Sequence, residues 1–351
     1  MARSQSMKSA PSDANRQRRL VELVDGFGRV RVAVVGDVIA DEFIYGRLSR
    51  VSREAPVLIL NYDRTTVVPG GAGNAARNVA ALGATAQLVG LVGRGTVDRR
   101  LVRSLGARVD RTRLVRPAGY RAPVKTRILA GGLHSARQQI VRVDREATPV
   151  TEARTRPEFE RAAVGAAAGC DAVLLSDYGS GLVTPEIVPK LARAVSRGGK
   201  RPAPVLVDSR YNLFAFQGCT ACTPNESEVE QMLGTSIGDD PERLERAGRA
   251  VLRRTRAKGV VVTRGSRGMA VFEPGRATAR ISIFGTDEVA DVTGAGDTVI
   301  ATMTLALASG ASLLEAAHLA NYAGGVVVMK RGTATVSGAE LMDAVRADRN
   351  C

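Results

Sequence analysis

Asp291-Val-Thr-Gly-Ala-Gly-Asp297-Thr298 runs directly into an apolar stretch that begins Val299-Ile-Ala-Thr-Met. The glycines free backbone N–H groups at the start of a helix, where the helix dipole adds partial positive charge. Such a helix start can hold the oxygens of a phosphoryl group, and an aspartate in the same turn can take a proton from an attacking hydroxyl. The segment predicts a phosphoryl-transfer site in which Asp297 is the catalytic base and the anion hole is formed by Gly294, Ala295 and Gly296.

Two common nucleotide-binding motifs do not occur in the chain. A Walker A loop requires Gly-x-x-x-x-Gly-Lys-Ser/Thr, and no such string is present. A Rossmann fingerprint requires Gly-x-Gly-x-x-Gly after the first strand, whereas here Val35-Gly36 leads into Asp37. A glycine-rich turn that only starts a helix, with Asp297 as its cap, is the remaining alternative. The full string from Asp291 to Thr298 argues against it, because it is far more specific than a bare Gly-Ala-Gly.

Short β-branched runs alternate with Ala-rich helical stretches along most of the chain. This rhythm predicts an α/β fold with a doubly wound parallel sheet. The predicted strands are Val32–Val35, Gln87–Val92, Ala172–Leu175, Pro204–Val207 and Val260–Thr263, and the predicted helices are residues 72–82, 157–168, 185–197, 241–256, 295–309 and 313–330.

Three segments fall outside this rhythm. Phe43–Asp63 and Leu114–Asp144 have strand-like stretches punctuated by Gly and Pro, and we expect them to form a separate small sheet that acts as a lid. Residues 1–20 are polar and basic, and we expect an N-terminal extension that frays or begins a first helix. Residues 21–351 are then a single domain.

The composition is that of an ordinary globular protein, with 44% hydrophobic and 24% charged residues. No apolar run approaches the roughly 18 residues of a membrane helix, and the N-terminus lacks a signal-peptide core. We therefore expect a cytoplasmic protein without membrane contact. The net charge of +15 suits phosphorylated small molecules or nucleic acid. Because the basic residues are dispersed and only 4% of residues are aromatic, we expect no nucleic-acid partner.

The four cysteines are too few for a disulfide framework in a chain of this length. Cys219-Thr-Ala-Cys222 has the spacing of a metal or redox pair, but a second Cys pair is missing. The histidines are limited to His134 and His318. We therefore expect neither zinc nor redox chemistry.

Two motifs resemble those of a known family. Asp291–Thr298 resembles the C-terminal signature of the PfkB, or ribokinase-like, carbohydrate kinases, and Pro69-Gly70-Gly71-Ala-Gly-Asn74 resembles their N-terminal signature. The resemblance extends from about Val32 to about Val345. It implies a ribokinase-like three-layer α/β/α fold with a small β-sheet lid, and an ATP-dependent sugar kinase with ATP and Mg²⁺ as cofactors.

Local strings are similar to the heptose-7-phosphate kinases within this family. This similarity implies transfer to the anomeric hydroxyl of D-glycero-D-manno-heptose 7-phosphate, which gives the 1,7-bisphosphate. Another sugar or nucleoside kinase of the same fold and a non-catalytic binding protein are the alternatives. The strings are Val35–Asp41, Ser49–Val57, Gln138–Asp144, Ser176–Gly179 and Thr333–Ser337.

The resemblance also implies which residues bind the sugar. Asp37 and Asn74 would hold sugar hydroxyls together with the backbone at Gly70 and Gly71. Asp41 would either join them or serve as a cap or a lid salt-bridge partner.

Further acceptor contacts are implied on the lid and at strand ends. Arg142 and Asp144 are two residues apart, so they share one strand face, which points either toward the sugar or into a surface ion pair. Asp177 and Asp208 end apolar strands, at the edge where α/β folds bind ligands.

On the nucleotide side, Asn225 and Glu228 in Thr223-Pro-Asn225-Glu-Ser-Glu228 resemble the Asn-x-x-Glu element of the family. Glu228 would organise magnesium, which needs few protein oxygens because it keeps several waters. A helix N-cap with acidic first-turn residues is the alternative. The residues implied to border ATP are Thr263, Gly265, Gly268 and Asn321.

Two substitutions depart from the heptose kinases. Ser180 replaces their usual lysine, and Asp208-Ser-Arg210-Tyr211 replaces Asp-Pro-Lys-Gly. Arg210 keeps a positive charge and can bind phosphate in a bidentate manner, so it is implied to be a substrate ligand. The missing lysine leaves a related phosphorylated or free sugar as an alternative acceptor.

Two expectations concern other proteins. The chain carries no His-x-Gly-His nucleotidyltransferase segment, and we expect another protein to perform that step. Lid strands of this family often pair between subunits, so a homodimer through the lid is expected.

Overall fold

The structure, a computed structural model, describes residues 13–131, 138–149, 153–196, 202–285, 291–330 and 332–348. The strands within these residues are β1 (Arg31–Gly36), β2 (Val38–Val51), β3 (Leu58–Gly71), β4 (Thr85–Val89), β5 (Val109–Asp110), β6 (Val124–Gly131), β7 (Gln138–Arg145), β8 (Ala172–Asp177), β9 (Val205–Ser209), β10 (Ala221–Cys222), β11 (Gly259–Thr263), β12 (Met269–Phe272) and β13 (Ala279–Ile281).

The helices connect these strands and close the chain. They are α1 (Asp13–Gly26), α2 (Ala72–Ala81), α3 (Thr96–Arg103), α4 (Thr155–Ala167), α5 (Ile187–Val195), α6 (Glu226–Leu233), α7 (Pro241–Thr255), α8 (Ala295–Ala308), α9 (Leu313–Val328) and α10 (Gly338–Ala347).

Nine strands form the main sheet in the order β13-β12-β11-β10-β9-β8-β1-β4-β5. Neighbours from β11 to β5 are parallel, and β12 and β13 extend one edge in antiparallel fashion. From β1 the chain builds the sheet outward in both directions, first through β4 and then through β8. This topology confirms the predicted doubly wound sheet. The antiparallel edge was not predicted.

The five predicted strands are present as β1, β4, β8, β9 and β11, and their core residues are almost completely buried. Only the prediction for Gln87–Val92 is displaced, since β4 ends at Val89. The backbone N–H of Val92 donates to the carbonyl of Val115 at 3.0 Å, in a short bridge beyond the strand.

The helices cover the sheet in separate groups. In one group α8 packs on α2 and α9, and α10 packs on α1 and α9. The pairs α4 with α5 and α6 with α7 pack against β1, β8, β9 and β11. The apolar residues of β1 are consequently shielded from solvent, as the layered fold requires.

A second sheet of four strands, in the order β3-β2-β6-β7, forms the predicted lid. Its strands reach closer to the main sheet than predicted, because β2 begins at Val38 and β3 ends at Gly71. Residues 114–123 were expected in the lid but lie outside its strands. Pro117 and Pro123 fall in this stretch, and proline cannot donate to a ladder of strands.

The N-terminal segment begins a first helix, which was one of its two expected forms. Helix α1 begins at Asp13, inside the expected extension, and Leu20 is fully buried. Gln17 Nε2 donates to the carbonyl of Val345 at 2.9 Å. The apolar residues Leu20, Leu23, Val24 and Phe27 follow helical spacing, and this stripe binds α1 to the domain. Residues 1–12 lie outside the described residues.

Candidate active site

Three aspartates lie at one edge of the main sheet, where β1, β8 and β9 end. Asp37 follows β1 directly, Asp177 is the last residue of β8, and Asp208 lies opposite Ser176 in the pairing of β8 with β9. The strand order reverses at β1, and such a reversal opens a crevice at the carboxyl ends of the strands. The structure thus brings the predicted acidic strand ends to one location.

Helix α8 begins at the same edge. Its cap, Gly294, has φ of +80°, and a Cβ there would lie 2.6 Å from Asn74 Nδ2, so glycine is required. The N–H groups of Gly296 and Asp297 belong to the first turn, where no intrahelical acceptor is available. The N–H of Ala295 instead donates to the carbonyl of Val292 at 3.2 Å. The N–H of Ala295 is therefore not available to the predicted anion hole.

The Asp297 side chain is buried at this helix start. Asn74 Nδ2 donates to one carboxylate oxygen at 2.7 Å, and Tyr178 Oη donates to the other at 3.4 Å. Burial raises the pKa of Asp297 to about 7, although the hydrogen bond from Asn74 acts in the opposite direction. A carboxyl group with a pKa near neutrality is suited to act as a general base.

Asp297 lies between two clefts of opposite character. One cleft, of about 210 Å³, is called here the acidic cleft. Its lining residues are Asp177, Tyr178, Asp208, Arg210, Thr223, Asn225, Glu228, Thr263, Val292, Gly294, Gly296 and Asp297. The other, of about 330 Å³, is called the basic cleft. Its lining residues are Ile39, Asp41, Gly71, Lys125, Arg127, Arg142, Tyr178, Arg210, Val292, Thr293, Gly294, Asp297 and Thr333.

Carboxylates crowd the acidic cleft. Burial, followed by the nearby charges of Asp297 and Glu228, raises the pKa of Asp208 well above its usual value. Burial also raises the pKa of Glu228. Glu228 closes a capping box at the start of α6, because its N–H donates to Asn225 Oδ1 at 2.8 Å and its carboxylate accepts from the Asn225 N–H at 3.0 Å. The N-cap alternative is therefore realised, and both residues also line the cleft.

This donor set fits a magnesium ion that is held mainly by water and phosphate. A divalent cation would relieve the repulsion among Asp208, Glu228 and Asp297. Across the described ranges, no three His, Cys, Asp or Glu side chains are close enough to hold a metal by themselves. Magnesium commonly uses one or two carboxylates and keeps its other positions for water and substrate phosphates.

Cations line the basic cleft. Lys125 Nζ lies 4.9 Å and the Arg210 guanidinium carbon 5.9 Å from the centre of the Tyr178 ring. Burial, and next the charge of Arg210, lowers the pKa of Lys125. Arg127 and Arg142 lie directly opposite each other in the pairing of β6 with β7.

Two of these cations are neutralised by carboxylates. Arg127 pairs with Asp41 at 2.5 Å, so the salt-bridge alternative for Asp41 is realised although Asp41 also lines the cleft. Arg142 pairs with Asp144 through two hydrogen bonds of 2.7 and 2.6 Å. Asp144 is about half exposed and does not line the cleft, which favours the ion-pair alternative over the predicted sugar contact for that residue.

The Asp37 carboxylate is occupied by the turn that follows β8. It accepts the N–H of Tyr178 at 2.8 Å and the N–H of Ser180 at 3.3 Å, and it also accepts the Ser180 hydroxyl. Burial is the main cause that raises the pKa of Asp37. Ser180, which stands where heptose kinases usually have lysine, therefore contacts Asp37 and lines neither cleft. The predicted sugar contact of Asp37 stays a prediction.

The signature glycines of β3 allow a close approach to β2. A Cβ on Gly70 would lie 2.3 Å from Asp41 Oδ2, and Gly71, with φ of +55°, would place one 2.4 Å from the Asp37 carbonyl. Gly71 lines the basic cleft. Both glycines are needed for the geometry of the site, and their contact with sugar stays a prediction.

Three residues predicted beside ATP line neither cleft. Gly265 and Gly268 form the tight turn after β11, with φ of +57° and +73°. Asn321 Nδ2 donates to the carbonyl of Ser282 at 2.9 Å. Thr263, at the end of β11, does line the acidic cleft. Nucleotide contacts at Gly265, Gly268 and Asn321 remain predictions.

Several cleft residues were not predicted from the sequence, among them Lys125, Arg127, Tyr178 and Thr333. Lys125 and Arg127 reach the site through the pairing of β6 with β2, and Tyr178 reaches it through the turn after β8. Thr333 lines the basic cleft, and its buried hydroxyl has no hydrogen-bond partner among the described residues. The only sequence signal was that Tyr178 and Thr333 fall within the strings resembling heptose kinases.

The cysteine pair lines neither cleft, although Cys222 directly precedes Thr223 of the acidic cleft. Cys219 and Cys222 are buried free thiols, and hydrogen bonding to Cys219 together with burial raises the pKa of Cys222. Protonated buried thiols are poor nucleophiles. Among the described helices, none combines the length and apolar character needed to cross a bilayer.

Comparison with known proteins identifies a family and several similar proteins. Residues 30–339 match the pfkB family carbohydrate kinases. The bifunctional protein HldE of Gluconacetobacter diazotrophicus is 41% identical over 326 residues, which cover 92% of this chain and 65% of that protein. The HldE protein of Caulobacter vibrioides is 40% identical over 326 residues, with coverages of 92% and 65%. The chain thus spans slightly less than two thirds of these curated relatives.

Solved structures show the same fold. Arabidopsis thaliana ribokinase, in complex with ribose and ATP, superposes with a TM-score of 0.69 at 19% identity, covering 91% of this chain and 99% of that one. Phosphofructokinase-2 from Escherichia coli, in complex with fructose-6-phosphate, gives 0.68 at 19% identity, with coverages of 90% and 98%. The predicted ribokinase-like fold is confirmed. The chain belongs to the pfkB family of carbohydrate kinases, phosphotransferases whose acceptor is a sugar hydroxyl.

Proposed function

We propose that the chain transfers the γ-phosphoryl group of Mg·ATP to the anomeric hydroxyl of D-glycero-D-manno-heptose 7-phosphate or a close relative. The observation that carries this proposal is the position of Asp297 between an acidic cleft and a basic cleft. A magnesium-bound nucleotide suits the acidic side. An acceptor that already bears a phosphate suits the basic side.

The basic cleft contains positively charged side chains without a carboxylate partner among the described residues, and these suit an anionic acceptor. Lys125 and Arg210 line it, and neither forms an ion pair within the part of the chain that the structure describes. Arg127 and Arg142, by contrast, are already paired with Asp41 and Asp144. A phosphate group would supply negative charge to Lys125 and Arg210, and arginine can bind phosphate in a bidentate manner. A neutral sugar would leave Lys125 and Arg210 without a charged partner.

The seven-carbon sugar is the finer part of the proposal. It is supported by the strings that resemble heptose-7-phosphate kinases, four of which supply residues to the basic cleft: Asp41, Arg142, Tyr178 and Thr333. It is also supported by the similarity to the HldE proteins. Ser180 in place of the usual lysine favours a related acceptor as the alternative.

In the proposed reaction, Asp297 accepts the proton of the anomeric hydroxyl while that oxygen forms a bond to the γ-phosphorus. The bond from the γ-phosphorus to the bridging oxygen breaks, and ADP leaves with the electron pair. The free N–H groups at the start of α8 stabilise the transferring oxygens. Magnesium, when bound near Glu228 and Asp208, offsets charge on the phosphates.

The test is ADP release across a panel of acceptors in the presence of ATP and Mg²⁺. The matched pair is the heptose with and without its 7-phosphate, compared with fructose 6-phosphate, ribose and adenosine. We expect the highest kcat/KM for heptose 7-phosphate and a large loss when its phosphate is removed. Turnover of another acceptor with inert heptose 7-phosphate would refute the sugar. Absence of ADP from every acceptor, with salt-dependent binding of nucleic acid, would support a non-catalytic protein.

We also propose that the lid pairs two copies of the chain. Leu48, Val51, Tyr62, Val141 and Val143 are large apolar side chains of β2, β3 and β7, and all are at least 45% exposed. An apolar surface of this kind on a sheet is a common site of self-association. Light scattering should give a dimer mass that Val141→Asp lowers to that of a monomer. A wild-type protein that remains monomeric at high concentration would contradict the lid dimer.

A further inference from the structure

A buried chain of hydrogen bonds runs from α8 to α2 and returns to the proposed base. Thr298 Oγ1 donates to Asn78 Oδ1 at 2.8 Å. Asn78 Nδ2 donates to the backbone carbonyl of Asn74 at 3.0 Å and lies 3.4 Å from Asn74 Oδ1. Asn74 Nδ2 then donates to Asp297 Oδ2 at 2.7 Å. Asn74, Asn78 and Thr298 are all 0% exposed, so water does not compete for these bonds.

The direction of this chain is fixed at both ends. The carbonyl of Asn74 can only accept, so the amide of Asn78 must present its nitrogen there and its oxygen to Thr298. The ionised Asp297 carboxylate also can only accept, so Asn74 must present its nitrogen to Asp297. The oxygen of the Asn74 side chain is then left facing the nitrogen of Asn78. Each donor meets an acceptor in this arrangement.

We propose that Asn78, oriented by Thr298, is a positioning residue that keeps the Asn74 amide nitrogen directed at the catalytic carboxylate of Asp297. This inference rests on the proposed function, because it assumes that Asp297 is the base. Asn78 lines neither cleft, so it acts on the reaction only through Asn74.

The consequence is a change in the protonation of Asp297. Burial raises the pKa of Asp297 to about 7, and the hydrogen bond from Asn74 is the largest of the effects that lower it. Without Asn78, the Asn74 side-chain oxygen loses its donor, and the amide is free to rotate away from the carboxylate. The pKa of Asp297 then rises, and less of the base is ionised at neutral pH. As the solution is acidified, the variant therefore loses activity at a higher pH than the wild-type protein does.

The experiment measures kcat as a function of pH for wild type, Asn78→Leu, Thr298→Val and Thr298→Ser. We expect the acidic limb to move upward by roughly half to one pH unit in Asn78→Leu, about the effect of one hydrogen bond. Thr298→Val should move it in the same direction by less. Thr298→Ser keeps the hydroxyl and should restore the wild-type limb. KM for ATP and for the sugar phosphate should not change.

The matched control is Thr304→Val, which removes another buried threonine hydroxyl of α8. Thr304 Oγ1 donates only to the carbonyl of Ile300, at 2.7 Å, so the acidic limb should stay in place. A fall in kcat at every pH, with the limb unmoved in both Asn78→Leu and Thr298→Val, would overturn the inference. If Asn78→Leu does not fold, the inference is tested by the acidic limbs of Thr298→Val and Thr298→Ser alone. A fully active Asp297→Asn would refute the proposed function itself, and the inference would fall with it.

Discussion

The acidic and basic clefts share five lining residues but carry opposite charge, and the shared residues are Tyr178, Arg210, Val292, Gly294 and Asp297. On the acidic side, Asp208 and Glu228 lie close enough for Glu228 to raise the pKa of Asp208. On the basic side, the charge of Arg210 contributes to the lowered pKa of Lys125. Each cleft thus concentrates one sign of charge, which costs stability in the free protein and is relieved by a ligand of opposite sign.

This difference supports the proposed division of the two substrates between the clefts. The divalent cation of a metal-bound nucleotide would bring positive charge to the acidic cleft, whereas a sugar phosphate would bring negative charge to the basic cleft. In this proposal the two substrates meet at Asp297, which lines both clefts. Substitutions confined to one cleft should therefore affect one substrate, and only substitutions at the shared carboxylate should stop the chemistry.

Asp297→Asn should give the largest effect. Without a base, kcat should fall by about 10²–10⁴ while both substrates still bind. Because burial raises the pKa of Asp297 from its usual value of 3.8 to about 7, this group lowers the stability of the folded protein as pH rises from about 4 to about 7, and the full penalty remains above pH 7. The variant should therefore have an equal or higher melting temperature than wild type at pH 8. Steady-state kinetics and thermal unfolding test the two expectations.

Asp343→Asn is the matched control, because Asp343 is exposed on α10 and lines neither cleft. It should leave kcat unchanged. Near-full activity in Asp297→Asn would show that Asp297 is not the base. It would also contradict the proposal that the two substrates meet at this residue.

The main sheet was predictable from sequence because its strands are short apolar runs separated by helices. The acids at the ends of β1, β8 and β9 were predictable for the same reason, since parallel strands end at one edge. The antiparallel β12 and β13 were missed because short apolar runs do not show strand direction. The packing of α1 on the domain was not predicted, because the first turns of this helix are polar and its apolar stripe begins only at Leu20.

The basic cleft was the least predictable part of the site. Lys125 enters it because β6 pairs with β2 in the register that places Lys125 opposite Asp41. Such a register depends on two segments more than 80 residues apart and leaves no local pattern. The role of the Asn74 amide was also hidden, because its partners Asp297 and Asn78 come together only when α2 packs on α8.

Lys125→Met should give the next largest effect, and this effect should be on the binding of the sugar phosphate in the basic cleft. Loss of one charge-assisted contact to phosphate should raise KM for the sugar phosphate by about 10–100-fold. KM for ATP should not change, since Lys125 does not line the acidic cleft. Lys258→Met is the control, because exposed Lys258 precedes β11 and lies at the opposite end of that strand from Thr263. An equal effect on the heptose without its phosphate would contradict the assignment of Lys125.

Glu228→Gln should give the smallest of the three effects, on the acidic cleft alone. Removal of this carboxylate lowers the negative charge that attracts the cation, so the Mg²⁺ concentration for half-maximal rate should rise by about tenfold. Glutamine keeps the oxygen that accepts from the Asn225 N–H, so the cap of α6 should survive. Glu242→Gln, on the exposed face of α7, serves as the control. If instead Glu228→Gln raised KM for the sugar phosphate and left the Mg²⁺ dependence unchanged, the division of the two substrates between the clefts would be wrong.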